Sequence, residues 1–293
     1  HEAGNITKKH QFVIYSPAIP AGNPELRQAR KFKIPCLSYP EALGELTKDY
    51  YTIAIAGTHG KSTTTAMTAL IATKSGLDPT VVIGTKLREF KNQNFRVGKS
   101  KYLIVEACEY KRSFLNLQPK ILVINNIEAE HLDYYKNLLD YRKAFSQLVQ
   151  KIPQSGYIII NADDENAAKV VKNAKAKVVT WSQYSQKTDY LLKGNILTSS
   201  TDKNYGIQLK PGVSGEFNLK NAVNAAIVNS ILKIKPATIA KTLKNYHGSW
   251  RRFEYKKVKL GKTQFIDDYG HHPTEVRVTL DAIRQKHPDA KIL

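Results

Sequence analysis

Cysteine is almost missing from this 293-residue chain: Cys36 and Cys108 are its only two, far apart and without metal-ligand spacing. That excludes a disulfide framework and a thiolate zinc site, and a reducing cytoplasmic setting is the expectation. Long apolar runs are missing as well. No stretch reaches the roughly 20 residues of a membrane span, and no basic-then-apolar signal segment opens the chain, so membrane insertion is not expected. Acidic residues are few, 25 Asp and Glu against 45 Lys and Arg, for a formal net charge of +20. Such an excess suits phosphate-rich ligands. The basic residues are scattered, as at Lys8-Lys9 and from Lys169 to Lys177, rather than interleaved with aromatics in one stripe, so nucleic acid is not expected as a partner. Internal repeats and low-complexity tracts are also absent. What is there is 42% hydrophobic, enough in a chain this long for a large core and two or three domains. The chain opens on His1 without a methionine and closes on Ala290-Lys-Ile-Leu293, which reads as a strand beginning, so an incomplete chain is expected.

The elements fall into three groups. Residues 1–48 hold a strand at Phe12–Tyr15, a helix capped by Asn23 with Pro24 at its first position and running to about Lys33, a strand at Ile34–Leu37, and a short helix from Tyr39 to about Leu46. Thr47-Lys48-Asp49 reads as a linker. Residues 49–248 alternate strand and helix, the pattern of a parallel sheet covered by helices. Strands are expected at 52–56, 102–106, 121–125, 156–160 and 177–180, with helices at 65–74, 165–172, 218–232 and 236–245. Gly194, Gly206 and Gly212 divide an expected antiparallel ribbon over 189–212. A third unit starts near Ser249, with a hairpin of 255–260 and 263–266 turned at Gly261-Lys262, then a helix from Thr274 to about Lys286.

The chain is organised around Gly57-Thr58-His59-Gly60-Lys61-Ser62-Thr63, set between the apolar run Thr52–Ala56 and a helix-prone run. A strand, a glycine turn and a helix start aim backbone N–H groups and a positive helix end at one spot, which is a phosphate cradle. Lys61 would hold the β- and γ-phosphates of a nucleoside triphosphate, and the Ser62 hydroxyl would sit on Mg²⁺. Only Thr58 and His59 separate the two glycines, fewer than in the common spelling of such loops.

Ligands bind at the carboxyl ends of strands in open parallel sheets, so Lys61, Glu106 and His131 are expected to converge. Glu106 closes an apolar strand, where a carboxylate suits Mg²⁺; Glu109 is a weaker candidate. The run from Asn125 to Asp133 gathers Asn126 and His131, the latter for a second metal ion or a phosphate. Asn218 and Asn221 could read an adenine edge, or Asn218 could cap its helix. Arg251-Arg252 could reach a γ-phosphate when domains close, and His271-His272 suits substrate contact.

Together, Gly57–Thr65, Glu106-Ala-Cys-Glu109 followed by Ser113–Pro119, Asn126–Asp133, Arg251–Glu254 and Asp267–Glu275 resemble the Mur ligases over nearly the whole chain, in collinear order. The last motif points to the alanine-adding branch. The resemblance implies a Rossmann-like UDP-sugar domain (1–48), a central ATPase domain (49–248) and the start of an amino-acid domain (249–293). It implies ATP-dependent joining of L-alanine to UDP-N-acetylmuramate through an acyl phosphate, a step in peptidoglycan precursor synthesis. It also implies one Mg²⁺ on Ser62 and Glu106 and a second on His131. Nucleotide contacts would come from Gly57, Thr58, Gly60, Lys61, Ser62, Thr63, Asn218, Asn221, Arg252 and Asp268. Substrate contacts would come from His59, Asn126, Tyr269 and His271, and Lys61, His131 and Arg252 would serve catalysis. The chain departs from the family pattern at Cys108-Glu109-Tyr110-Lys111, at Phe217, at Phe145, where other branches carry a modified lysine, and in lacking a glycine-rich first turn. Readings left open are a peptide-recycling ligase on the same nucleotide sugar, a folate-glutamate ligase, and a nucleotide-binding protein without catalysis.

Overall fold

The computed structural model describes residues 1–261 and 263–293. Strands β1 (Val13–Tyr15) and β2 (Cys36–Ser38) pair in parallel around helix α1 (Pro24–Lys31). Asn23 caps α1 by accepting the N–H groups of Glu25 and Leu26, and Pro24 sits where a helix has no use for an N–H. Helix α2 (Tyr39–Lys48) starts from a Ser38/Glu41 capping box and runs through Thr47 and Lys48, so two of the three residues expected as linker are helical.

The central unit follows as β3 (Tyr51–Ala56), α3 (Lys61–Lys74), β4 (Thr80–Leu87), β5 (Gln93–Arg96), β6 (Tyr102–Glu106), β7 (Ile121–Ile124), α4 (Leu138–Gln150), β8 (Tyr157–Asn161), α5 (Glu165–Val170), β9 (Lys177–Ser182), β10 (Tyr190–Lys193), β11 (Ile196–Ser199) and β12 (Gly206–Gln208). These strands form one sheet in the order β12-β11-β10-β9-β8-β7-β3-β6-β4-β5. The strands from β10 to β4 in that order pair in parallel, and β5, β11 and β12 pair antiparallel at the edges. The expected ribbon is thus an extension of the sheet, joined through β9 and β10.

Strand β3 explains the two-layered core. Its alternate side chains enter opposite faces: Ile53 and Ile55 pack with Met67 and Ile71 of α3, while Ala54 and Ala56 pack with Tyr141, Phe145 and Leu148 of α4. Strands β4 and β5 and helix α4 lie outside the expected alternation. Gly84 and Lys86 interrupt the apolar pattern of β4, and Gln93, Asn94 and Phe95 of β5 are exposed.

The remaining elements are α6 (Glu216–Ile231), α7 (Pro236–Lys244), β13 (Glu254–Leu260), β14 (Thr263–Asp267) and α8 (Pro273–Lys286). Strands β13 and β14 form the expected hairpin; Lys262 of its turn lies outside the described residues. Ala290–Leu293, expected to begin a strand, carry no strand pairing among the described residues. No helix among the described residues is long and apolar enough to cross a membrane.

Phe145 is fully buried, its ring 5.1 Å from Phe114 and 5.1 Å from Tyr141. Phe145→Ala should cost about 3–5 kcal/mol of folding free energy by leaving a cavity in the α4 layer. Urea unfolding of both proteins measures it, and a loss under ~1 kcal/mol would mean the layer collapses freely around the site.

Candidate active site

Helix α3 begins at Lys61 rather than at Thr65, so the cradle's lysine and hydroxyls occupy its first turn. First-turn N–H groups have no intrahelical acceptor and are left to face a ligand. Gly60 caps the helix with φ of 77°, a left-handed conformation natural to glycine, and a Cβ there would strike the Asn221 carboxamide. The loop is stapled to the end of β7. Thr58 Oγ1 donates to the Glu128 carbonyl at 2.9 Å and accepts the Glu128 N–H, and the His59 N–H donates to Asn126 Oδ1 at 2.8 Å.

The expected convergence is present. Ser62 Oγ donates to Glu106 Oε1 at 3.0 Å, and the Gly84 N–H donates to Glu106 Oε2 at 2.7 Å. A Cβ at Gly84 would lie 2.8 Å from that carboxylate, so β4 must be bare there. Lys61 Nζ donates to the carbonyls of Gly57 and Thr58, each at 2.8 Å, and to Glu109 Oε1 at 2.9 Å. His131 Nε2 stands 3.3 Å from the same Glu109 oxygen.

Glu109, the weaker candidate in the sequence, is therefore the hub. Burial would raise its pKa, but the Lys61 ammonium and the His131 hydrogen bond outweigh it and keep the carboxyl below its ordinary value. Burial likewise works against charge on Lys61, and the carboxylates reverse that, chiefly Glu109. Glu109 Oε2 is buried with no hydrogen-bond partner among the described residues. A hydroxyl, carboxylates, an imidazole and one orphaned carboxylate oxygen make a donor set that fits a hard divalent cation.

A cavity of about 510 Å³ opens from the cradle, with Asn218, Asn221, Arg252, Asp268 and Glu275 on its walls. Gly215, not Asn218, caps α6, and the Asn218 amide donates to the Ser214 carbonyl. Asn221 lies behind the cradle, where Thr64 Oγ1 donates to it at 3.2 Å. Asp268 has both oxygens on backbone N–H groups, of Phe253 at 2.7 Å and Gly270 at 2.8 Å. Tyr269 and His271 are exposed, with the Arg251 and Arg252 guanidinium groups over the Tyr269 ring.

Sequence reasoning missed the contact made by His59. Its Nε2 lies 3.1 Å from Glu128 and its Nδ1 3.1 Å from Glu275 at the start of α8, while Thr274 Oγ1 donates to Glu128 at 2.9 Å. Burial lowers the pKa of His59, but the Glu275 hydrogen bond and nearby carboxylates prevail and raise it. Glu275 is desolvated too, yet the His59 ring, the His271 N–H and Arg252 bring its pKa down to about 2.

Comparison with known proteins identifies the fold. Residues 55–229 match the profile described as "Mur ligase middle domain", and residues 1–51 match "Mur ligase family, catalytic domain". The UDP-N-acetylmuramate--L-alanine ligase of Clostridium acetobutylicum is 43% identical over 301 residues, covering 100% of this chain and 64% of that protein. Its counterpart from Clostridium tetani is 41% identical over 302 residues, with 100% and 65% covered. The solved UDP-N-acetylmuramate-alanine ligase of Thermotoga maritima superimposes with a TM-score of 0.82 at 26% identity, covering 99% of this chain and 67% of that one. A murein peptide ligase from Psychrobacter arcticus, 24% identical with a TM-score of 0.81 over 98% of this chain and 66% of that one, shares the fold. The chain thus spans about 64% of the length of the first curated relatives.

The His59 contact carries a pH signature. A raised histidine pKa gives stability that is full below the ordinary value of 6.5 and lost as pH rises through the folded value. A depressed glutamate pKa gives stability that is full above the ordinary 4.5 and lost as pH falls through about 2. Docking of α8 on the cradle should be tightest between those ordinary values, pH 4.5 and 6.5, and loosen above the raised pKa of His59. Tryptophan emission reads this, with Trp250 the exposed reporter and Trp181 the buried constant. A profile unchanged in His59→Asn would assign the pH effect elsewhere.

Proposed function

This chain belongs to the Mur ligase family, and on that premise we propose that it carries the ATP-dependent joining of L-alanine to the carboxylate of UDP-N-acetylmuramate, a step in building the cell-wall peptidoglycan precursor. The observation that supports this most is the meeting of Lys61, Ser62, Glu106, Glu109 and His131 at the carboxyl ends of β3, β6 and β7. The names of the Clostridium relatives support the choice of substrates. We read residues 1–48 as part of the nucleotide-sugar unit, 49–248 as the ATP unit and 249–293 as the start of the amino-acid unit. A reaction on ATP and a nucleotide sugar fits the cytoplasm.

A carboxylate does not acylate an amine, because oxide is not a leaving group. Transfer of the ATP γ-phosphoryl group to the muramic acid carboxylate releases ADP and gives an acyl phosphate. The L-alanine nitrogen then attacks the carbonyl carbon, phosphate departs with the C–O electron pair, and the amine proton is lost to give the amide. Lys61, now folded onto the carbonyls of Gly57 and Thr58, would swing to the transferring phosphoryl group, and first-turn N–H groups would hold its oxygens. Ser62 and Glu106 would hold one Mg²⁺ and His131 a second, with Glu109 between them and Lys61. Bound there, Mg²⁺ supplies charge neutralisation for phosphoryl transfer. Arg252 at the cavity wall would meet phosphate oxygens, and Asn218 and Asn221 line the nucleotide side with Gly57, Thr58, Gly60 and Thr63. Asp268 shapes the nucleotide wall from the third unit. Asn126 and His59 face the substrate side, and Tyr269 and His271 suit the amino-acid pocket.

The whole enzyme should release phosphate from ATP only when UDP-N-acetylmuramate and L-alanine are both present. Equal release with neither would make it a plain ATPase, and ligation of an L-Ala-D-Glu-containing tripeptide in place of L-alanine would make it a peptide-recycling ligase.

Lys61→Ala should abolish ligation, but it also strands the buried Glu109, and breaking such a pair costs about 3–5 kcal/mol. Lys61→Ala/Glu109→Gln removes the stranded charge. It should fold as the parent does by far-UV circular dichroism and still give no product. Turnover in either variant would take the cradle out of the mechanism.

A further inference from the structure

His59 faces two ways. Its backbone is fixed to the end of β7, where its N–H donates to Asn126 and its carbonyl accepts from the Asn125 and Asn126 amides. Its ring turns outward, 15% exposed, into a pocket closed by Glu128 and by Glu275, itself 16% exposed. The His272 ring, 4.8 Å away, completes the wall, and Glu130 adds further negative potential from the β7 side. Among the described residues, His59–Glu275 is the ion pair that ties the cradle loop, residues 57–62, to the third unit.

The arrangement poses an electrostatic problem that His59 solves. A triphosphate on the first turn of α3 brings several negative charges next to the loop, and α8 approaches that loop with a carboxylate foremost. Like charges in a partly dehydrated cavity repel strongly. Positive groups must offset that repulsion: Arg252 lines the same cavity, and the ring of His59, 3.1 Å from Glu275, is the one carried by the cradle loop itself.

We propose that His59 is a charge bridge, a positioning residue whose imidazolium lies between the cradle's phosphates and the carboxylates of Glu128 and Glu275, so that the third unit closes over a loaded cradle. This rests on reading the cradle as a triphosphate site. His59 then acts on docking of the amino-acid unit rather than on holding phosphate, and Glu275 is its counterpart.

The test compares His59→Asn, His59→Lys, Glu275→Gln and His59→Asn/Glu275→Gln in the whole enzyme. Removing the positive charge in His59→Asn should raise KM for L-alanine about tenfold while kcat and affinity for a non-hydrolysable ATP analogue stay within about threefold. His59→Lys, which keeps the charge, should raise KM for L-alanine less than His59→Asn does. Removing the facing carboxylate as well should bring KM back to within about threefold of the parent, a rescue that a merely steric contact would not produce. A double variant no better than His59→Asn, or analogue affinity falling in step with KM, would overturn the bridge. Amide exchange of residues 273–280 gives a readout independent of ligation. The analogue should protect these amides in the parent, not in His59→Asn, and again in the double variant. If the parent ligates nothing, the proposed activity fails while this exchange pattern still decides the bridge.

Discussion

The Lys61 ammonium and the Glu109 carboxylate, 2.9 Å apart and both withdrawn from water, are the interaction around which the site is built. Neither charge would survive alone at that depth, since desolvation of an unpaired ion costs several kcal/mol. Together they hold Lys61 beside the loop that it would serve. Its other two hydrogen bonds go to neutral carbonyls of that same loop. A phosphate oxygen is a stronger acceptor than either carbonyl, so the lysine rests in a position from which an anion can draw it. Glu109 stays anchored meanwhile, because the Tyr135 hydroxyl donates to its backbone carbonyl and His131 leans on the same carboxylate oxygen.

Under the cradle lies a layer of buried amides rather than a purely apolar core. Asn224 accepts from Trp181 Nε1 at 2.8 Å and donates to Asn125 at 3.0 Å, and Asn125 in turn donates to Thr64 and to the His59 carbonyl. Helix α6 supplies Asn221 and Asn224, β7 leads into Asn125, and α3 supplies Thr64. A chain of satisfied polar groups has one geometry where a greasy contact has many, and this one fixes the height and tilt of the glycine loop, residues 57–60. It also gives a reason for Asn221 and Asn224 in a helix buried nearly all round: these two meet the polar layer under the loop.

The sequence made the parallel sheet, the cradle and its two strand-end partners legible because each is local. An apolar run, a glycine turn and a helix start are neighbours along the chain, and strand-end carboxylates follow from the topology rule alone. Glu109 was underrated because its burial depends on what comes next: Lys111 and Arg112 have positive φ and kink the backbone sharply, turning Glu109 inward while Cys108 stays outside. The capping role offered for Asn218 went to Gly215 one turn earlier, a shift that propensity does not resolve. The contact of His59 with Glu275 joins residues 216 positions apart, and no spacing rule reaches that far. A faint signal did exist in the Pro273-Thr274-Glu275 helix start, which sends a side chain back toward whatever lies before α8.

The aim of Arg252 is a question of backbone rather than of rotamer. Gly248, Arg251 and Phe253 all have positive φ, 87°, 53° and 52°, so the chain folds back on itself within six residues. For the two non-glycine residues that conformation is disfavoured and must be held. The holding contacts are specific: Phe253 N–H to Asp268, Arg251 N–H to Glu254 at 3.0 Å, and Tyr269 N–H to the Arg251 carbonyl at 2.9 Å. Outside this strained turn, among the described residues, the third unit meets the central body through polar contacts of Glu254, His271, Thr274 and Glu275 and through a close approach of Ala282 to Gly215. Small polar contacts between units leave relative motion as the default. The strained turn would then hold Arg252 at one angle to its own unit, so that swinging the unit carries the guanidinium into or out of the cavity as a rigid arm.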